Sequence, residues 1–511
     1  MKQLYFVLVI FLPLSLFAQL DNSFGSEGRA LVNFYKPSGG GPSIIQPADQ
    51  KILTAGTCYL GTTLYYYIAR FTTDGNLDPS FNGIGVVLLP FDLGYIGTPY
   101  LAVQSTGDII LAGEALNSIQ AVLLVRVTPT GQIDYSFNAA GYTYCTSLIG
   151  VEGLLVQPDD KIVIGGAVDL GNGMAVARFT KDGVPDPSFA TNGLFTTSGI
   201  QCQAIGFLND GSIVAAGPTW TGNEAFHLST TGVLDTHFGT HGYASLSVGD
   251  NDQLKIQGIT VIEDNYIVIV GSYLPDVKNG NWRFLAIELT PLGQYNPAFA
   301  GNGKLGIPFA GYNAGAAKCV ETWGGRLVLA GGLTKSGSPT QIGLARVLND
   351  GSIDYAFGPN GTQTTGWWTS SYSVAGMSIA LQKDSKLVVG VDLGAHGIGA
   401  VRYLNPIILP PPPFVTTEQA GLVTGNTSLT SGGPRIFPNP AGSTLNIQGM
   451  DGDEKTILLV TDAAGRTVLT VRPGGMTGVA VDISSLAAGA YFLTVSTTVK
   501  RVTMPFVKGR G

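Results

Sequence analysis

The sequence predicts an all-β protein: a seven-bladed β-propeller of four-stranded antiparallel blades, followed by a small C-terminal β-sandwich. Three observations carry this reading. A phrase close to G-x-(L/I)-D-x-x-F-x-x-x-G recurs seven times, with departures such as "GQYNPAF", its Phe standing at 24, 81, 137, 189, 238, 299 and 357, at spacings of 49 to 61 residues. Each interval holds four short apolar runs rich in β-branched residues, and no helical period of useful length. Finally, 71 Gly with only 12% charged residues suits a turn-rich β protein. One four-stranded sheet buries too little by itself. Seven stacked around an axis supply each other's apolar partner and leave no long exposed edge. An open solenoid is the alternative, but the period is long for one solenoid coil.

In chain order, the sequence opens with "MKQLYFVLVIFLPLSLFAQ". Lys2, the apolar run Leu4–Phe17 and the small Ala18 stand in the order of a secretory signal peptide over 1–18. The shortness of the run and Pro13 within it argue against a membrane span. Residues 19–405 hold the seven repeats. In the second, the expected strands are "GVVLLPF" (85–91), "YLAVQ" (100–104), "DIILAGE" (108–114) and "VLLVRVT" (122–128). A polar hairpin corner, "QSTGDI" at 104–109, joins the second and third. The recurring phrase, "GNLDPSFNGIG" at 75–85, follows a fourth strand and is expected to be the crossover between blades. Its glycines allow positive φ, Asp78 suits an Asx-type turn, and Phe81 is expected to wedge into the seam between blades. Phe24, Phe137, Phe189, Phe238, Phe299 and Phe357 are expected at the equivalent seams.

Eight residues before the motif acid stands a second repeated position: Arg70 before Asp78, Arg126 before Asp134, Arg178 before Asp186, Arg346 before Asp354. His227 precedes Asp235 in the same way. Where Glu288 takes the position the later residue is Asn296, which avoids a meeting of like charges. The spacing predicts an Arg–carboxylate fork that fixes the turn more than it stabilises, since desolvation offsets much of the Coulomb gain. Arg402 has Pro410 eight residues on, and Asp21 is the motif acid left over. A ring closed end to end brings these two together.

The R-(F/V)-x-x-x-G-x-(L/I)-D-x-x-F-x-x-x-G phrase, with its upstream Q-x-D-G-K-I-like corner, resembles the delta-60 β-propeller repeat family over residues 20–405. The resemblance implies the fold and an exported setting, and no defined reaction. After Asn405 come "PIILPPPPF" (406–414), a stiff polyproline spacer, and a flexible polar continuation to 434. From 435 to 511, short alternating strands with Asp-Ala-Ala-Gly and Ala-Ala-Gly turns predict the sandwich. In order, this block carries Pro438-Asn439-Pro440, Leu445-Asn446-Ile447, Asp462, Gly465, Ile483, Leu486, Gly489-Ala490-Tyr491, Lys500, Arg501 and Lys508. The set resembles the C-terminal sorting domain read by the type IX secretion machinery of certain Gram-negative bacteria. That resemblance implies the machinery as a partner, passage across the outer membrane, then release or surface attachment.

A net charge of −7 leaves no basic footprint for nucleic acid. No basic amphipathic stretch marks a membrane surface, and no transmembrane segment is expected once the signal is removed. Cys58, Cys145, Cys202 and Cys319 fall in different repeats without paired spacing and read as small buried hydrophobes. No catalytic, cofactor or metal motif stands out. His237 and His241 lie in a turn with no third ligand nearby. Asp74, Asn76 and Asp78 begin like a calcium loop, but Pro79 stands where Gly is needed and Gly85 where a bidentate Glu is needed. Trp367-Trp368 and Tyr65-Tyr66-Tyr67 break the repeat pattern, and either face a sugar or partner or pack inward. Two function classes remain. One is a non-catalytic exported propeller for binding, adhesion or surface scaffolding, with a glycan or surface protein as ligand. The other is a hydrolase or lyase of an extracellular polymer, which needs acids or His from several blades to converge at the channel mouth.

Overall fold

The computed structural model describes residues 18–405 except 95–96, 116–119, 169–172, 250–252, 276–279, 323–324 and 368–374. Within 435–508 it describes all but 438–442, 449–455, 463–466, 474–475, 477, 487–488 and 497–500. Contacts divide the chain into two units, Met1–Leu409 and Pro410–Gly511.

Among its described residues the first unit contains seven antiparallel sheets. Sheet 1 runs Lys36–Ile45, Ile52–Leu60, Thr63–Phe71, Val86–Leu89, and sheet 2 runs Tyr100–Val103, Ile109–Ala115, Ala121–Val127, Tyr142–Cys145. Sheets 3 to 6 begin with the inner strands Gly153–Val156, Ala204–Phe207, Gln253–Val261 and Asn313–Thr322. Sheet 7 takes Ala375–Leu381, Leu387–Asp392 and Ile398–Leu404, and is completed by Arg29–Val32 and Gln19–Leu20 from the start of the chain. Each inner strand touches the next, and Ala375–Leu381 touches Lys36–Ile45, so the series closes on itself. Every residue of Ala121–Val127 is buried, because neighbouring sheets cover both faces of a third strand. Outer strands are short and part-exposed, as in Leu194–Ser198, which keeps the rim a poor template for further pairing. The core lies between sheets: Leu53, Tyr66 and Phe81 of sheet 1 pack with Leu111 and Leu123 of sheet 2.

The register corrects one expectation. The run 85–91 does not begin the second sheet; it is the outer strand of sheet 1, with Ala69 opposite Val86 and Tyr66 opposite Leu89. The phrase at 75–85 therefore joins the third and outer strands of one sheet, and the crossover to the next is 90–99. The physical reason is a tight reversal. Asp78 N–H donates to Arg70 O at 2.9 Å and Gly85 N–H to Phe81 O at 2.7 Å, folding the chain back along the strand it has left. The copy at 20–28 does the same between Ile398–Leu404 and Arg29–Val32, where Arg29 pairs with Val401. Ala18, the residue expected at the cleavage point, is buried, and its N–H donates to Phe357 O at 2.8 Å.

In the second unit, Arg435–Phe437, Thr444–Gln448 and Gly478–Asp482 form one sheet. Thr467–Val471, Ile457–Asp462, Gly489–Ser496 and Arg501–Lys508 form another. Leu445 and Ile447 of the first share a core with Leu458, Val460 and Leu493 of the second.

Candidate functional site

The two ends of the ring differ in chemistry. At the end formed by the recurring turns, Arg70 Nε donates to Asp78 Oδ2 at 2.7 Å and Arg126 Nε to Asp134 Oδ2 at 2.7 Å. Arg178 meets Asp186 and Arg346 meets Asp354, both at 2.8 Å. Arg402 Nε donates to Asp21 Oδ2 at 2.8 Å across 381 residues of sequence. The contact is single, not the expected fork, because the other guanidinium nitrogens are used elsewhere. Nη2 of Arg70, Arg126 and Arg178 reaches the hydroxyls of Ser80, Ser136 and Ser188. Nη1 reaches a carbonyl in the next sheet's turn: Pro129 O from Arg70, Lys181 O from Arg126, Thr230 O from Arg178, Thr73 O from Arg402. For Arg346 the chain has run out of turns, and the Asn405 side chain accepts instead at 2.7 Å.

All seven motif Phe rings are fully buried. Those of Phe24, Phe81, Phe137, Phe189 and Phe357 lie 4.6 to 5.0 Å beneath the guanidinium of their Arg. The rings also press on the next sheet. A Cβ on Gly75 would sit 2.8 Å from the Phe24 ring, and one on Gly183 2.4 Å from the Phe137 ring, at φ of +82° and +81°. Only glycine fits there. Burial pushes the Asp78 carboxyl up, but hydrogen bonds from Ser80 and Lys51 and the Arg70 charge outweigh it and hold it at about 2. Asp21, Asp134 and Asp186 are lowered by the same kind of balance.

Two sheets depart from this pattern. In sheet 5, Asn296 Nδ2 donates to Glu288 Oε1 at 2.6 Å. In sheet 4, His227 Nδ1 lies 3.1 Å from Asp235 Oδ2 and Nε2 lies 2.8 Å from Ser212 Oγ. That order of Ser, His and Asp is not a nucleophilic centre. Ser212 is 1% exposed, and its hydroxyl already donates to Asp210 at 2.5 Å. Sequence reasoning missed what the hairpin corners add here. Gln104 Nε2 donates to Asp160 O and Lys181 O at 3.0 Å, and Lys51 and Lys386 reach Asp78 and Asp21 at 3.0 and 3.2 Å. The recurring Gln and Lys of the corner are the signal for these contacts.

The far end of the ring carries no repeat. Register in sheet 2 places Arg126 opposite Ile110 towards the turns, and Glu114 opposite Val122 and Tyr100 opposite Ala112 away from them. Glu152 stands just before the inner strand of sheet 3. Lys318 lies on the inner strand of sheet 6, yet its charge acts on Glu152 and on Cys202 near sheet 4. A side chain of sheet 6 meets those of sheets 3 and 4 only across the axis. On the inner strand of sheet 5, Gln253, Lys255 and Gln257 are exposed in alternation, the pattern of a face turned to an aqueous channel. Tyr100, Glu114 and Glu152 thus gather where sheets 2 and 3 adjoin, within reach of the Lys318 charge, and Lys255 is exposed on the inner strand of sheet 5.

Burial, then the Glu114 charge, push the Glu152 carboxyl up to about 7, against a hydrogen bond from Tyr100 and the charge of Lys318. Burial also raises Glu114, against a hydrogen bond from Val151 N–H, and lowers Lys318. Such a centre holds polar groups in place and exchanges a proton near neutrality. None of these four residues was singled out by sequence; a lone charge beside an apolar inner run, as in "VEGLLV" and "AKCV", is the signal.

The residues that were singled out lie elsewhere. Trp367 is 6% exposed and Tyr66 and Tyr67 are fully buried, so these rings pack inward. The four cysteines are free and buried. Among the described residues no group of three or more His, Cys, Asp and Glu is placed to hold a metal. In the second unit, Asp462 pairs with Tyr491 and Gly489 with Lys508, and Tyr491 and Lys508 are buried. Trp368, Pro438, Asn439, Pro440 and Gly465 lie outside the described residues.

Comparison with known proteins bears on both units. Residues 435–508 match the Secretion system C-terminal sorting domain. Residues 48–81, 104–137, 157–189 and 325–357 match the Domain of unknown function (DUF5122) beta-propeller, each match ending on a motif Phe. No curated protein matches the chain. Similar solved structures include a protein of unknown function from Dyadobacter fermentans, at 12% identity and TM-score 0.40, covering 76% of this chain and 98% of that one. The β-propeller domain of the Trilobed protease from Pyrococcus furiosus is 8% identical at TM-score 0.39, covering 72% and 95%. A polysaccharide lyase, an ulvan lyase, is 11% identical at TM-score 0.40, covering 73% and 95%. Likenesses at this level say nothing of activity. The first unit is a β-propeller, and the sorting domain makes the chain a secreted or cell-surface protein of the type IX route.

Proposed function

We propose that this is an exported binding protein, serving adhesion or surface scaffolding, which takes a glycan or surface-protein ligand at the channel end away from the recurring turns. The cluster of Tyr100, Glu114 and Glu152 with the Lys318 charge acting on it carries this reading. Ring closure accounts for the charges at the turn end, where each carboxyl has its partner. It does not account for the raised carboxyls of Glu114 and Glu152, which meet Val151 N–H and Tyr100 where sheets 2 and 3 adjoin, apart from the recurring turns. Strained carboxyls in a concave polar site are a functional signature. In this account 19–405 form the ring, 406–434 act as the spacer, and the type IX machinery reads the tail through Pro438-Asn439-Pro440, Asp462, Gly465, Gly489, Tyr491 and Lys508.

The test is a glycan and matrix-protein array probed with the mature chain and with its Glu152→Gln and Lys318→Met variants. Specific spots lost in both variants are expected; spots unchanged in both would move the site elsewhere. A second reading, a hydrolase or lyase of an extracellular polymer, is favoured by one observation. Glu152 exchanges its proton at about 7 beside Tyr100, which suits general acid–base work. A polysaccharide cleavage screen decides it: turnover abolished by Glu152→Gln would replace the binding reading. For the tail, deletion of 435–511 is expected to leave a folded ring in the periplasm, and secretion at the full-length level would overturn its role.

A further inference from the structure

The far end of the ring has a feature on its rim that the raised carboxyls do not explain. Trp220 sits in the turn between Ile213–Pro218 and Asn223–Leu228 of sheet 4 and is 83% exposed. An indole left in water is an unused stacking surface. The turn around it is uncrowded, since a Cβ on Gly222 would meet nothing within 4 Å. A shallow cleft lined by Gly199, Gln201, Pro218 and Thr219 lies at its side.

This hairpin is tied to the neighbouring sheet. Asn223 Nδ2 donates to Leu254 O at 3.5 Å. The next residue along that strand, Lys255, is exposed, and its Nζ stands 4.6 Å from the ring centre of the half-buried Trp282. The hairpin that carries the exposed Trp220 indole thus adjoins the strand that carries Lys255, whose ammonium lies beside the Trp282 indole. The residues flanking Trp220 are Thr219, Thr221, Gly222 and Asn223, which is no apolar face for a lipid or a protein core.

We propose that this rim binds an anionic saccharide. One sugar ring stacks its C–H face on Trp220, with hydroxyls over the Gln201 and Thr219 cleft. A carboxylate or sulfate of the same or the next sugar meets the Lys255 ammonium, which the Trp282 ring holds in place. The inference rests on the reading of this end as the ligand face and adds the chemical class of ligand.

Indole fluorescence titration of the full-length chain with three oligosaccharides tests it: an alginate oligomer for carboxylate, a chondroitin sulfate oligomer for sulfate, and a cello-oligomer as the neutral control. Saturable quenching by at least one acidic oligomer is expected, falling as salt rises. Trp220→Ala should weaken binding roughly tenfold or more, the equivalent of one lost stacking contact. Lys255→Met should erase the preference for acidic over neutral sugar and flatten the salt dependence. Equal binding of all three oligomers, no binding of any, or unchanged binding by Trp220→Ala would overturn the proposal. Array spots that survive Trp220→Ala but vanish in Glu152→Gln would end this inference and leave the channel reading standing. Spots untouched by either variant would end both.

Discussion

The same residue types behave in opposite ways at the two ends of the ring. At the turn end, Asp21, Asp78 and Asp186 are covered and Asp134 is half-buried, yet all four are lowered, because Arg, Ser and backbone donors surround them. At the far end, burial raises Glu114 and Glu152, because the hydrogen bonds from Val151 and Tyr100 and the Lys318 charge do not outweigh it. Burial alone therefore does not set the charge of a carboxyl; the number of donors aimed at it does. Where the chain repeats itself the charges are matched and serve the fold. Where the repeat stops they are left unmatched.

The largest loss is expected at the closing seam. Arg402→Met leaves the buried Asp21 with Lys386 and the Ser23 hydroxyl and N–H as its donors, and is expected to cost about 3 kcal/mol of unfolding free energy in urea denaturation. Adding Asp21→Asn should cost less than the two changes summed, since the pair acts as a unit. A loss below about 1 kcal/mol, the range of a surface ion pair, would show that the seam does not depend on it. A smaller effect, about 1–3 kcal/mol, is expected from Gly183→Ala, which strains a positive φ and drives a methyl into the Phe137 ring. Gly83→Ala shares the positive φ but meets nothing within 4 Å, and should cost less.

The smallest expected effect is the sharpest, because it has opposite signs at the two ends. Asp78 is depressed to about 2, so its contribution is present above the ordinary carboxylate range and is lost as pH falls through that range towards 2. Glu152 is raised to about 7, so its contribution is present in acid and is lost as pH rises through 7. Denaturation midpoints should therefore decline between pH 5 and 7 in the wild type, level off towards pH 8, and decline less in Glu152→Gln. Identical slopes would mean that the channel carboxyl is not perturbed.

Much of the turn end was legible in the sequence because repetition exposes partnership. An Arg eight residues before an Asp, five times over counting the closing pair, shows two side chains that vary together, as does the exchange for Glu288 and Asn296. The blade boundary was not legible. An apolar run does not say which neighbour it pairs with, and the hydrogen bonds of the reversal at 75–85 decide that. The channel centre was also hidden: Tyr100, Glu114, Glu152 and Lys318 come from three sheets, and only the curvature of the whole ring brings them to one axis. Trp220 was passed over for a related reason. Trp367 and Tyr65-Tyr66-Tyr67 looked more irregular, but irregularity in sequence does not measure exposure.

The completion of sheet 7 also sets an order in time. Arg29–Val32, among the first residues to be synthesised, has as its partner Ile398–Leu404, among the last of the ring. Until that strand exists, Arg29–Val32 has nothing to pair with, and Asp21 has no Arg402. The ring is therefore an open arc until Ile398–Leu404 is at hand, and its closure is the last step of folding.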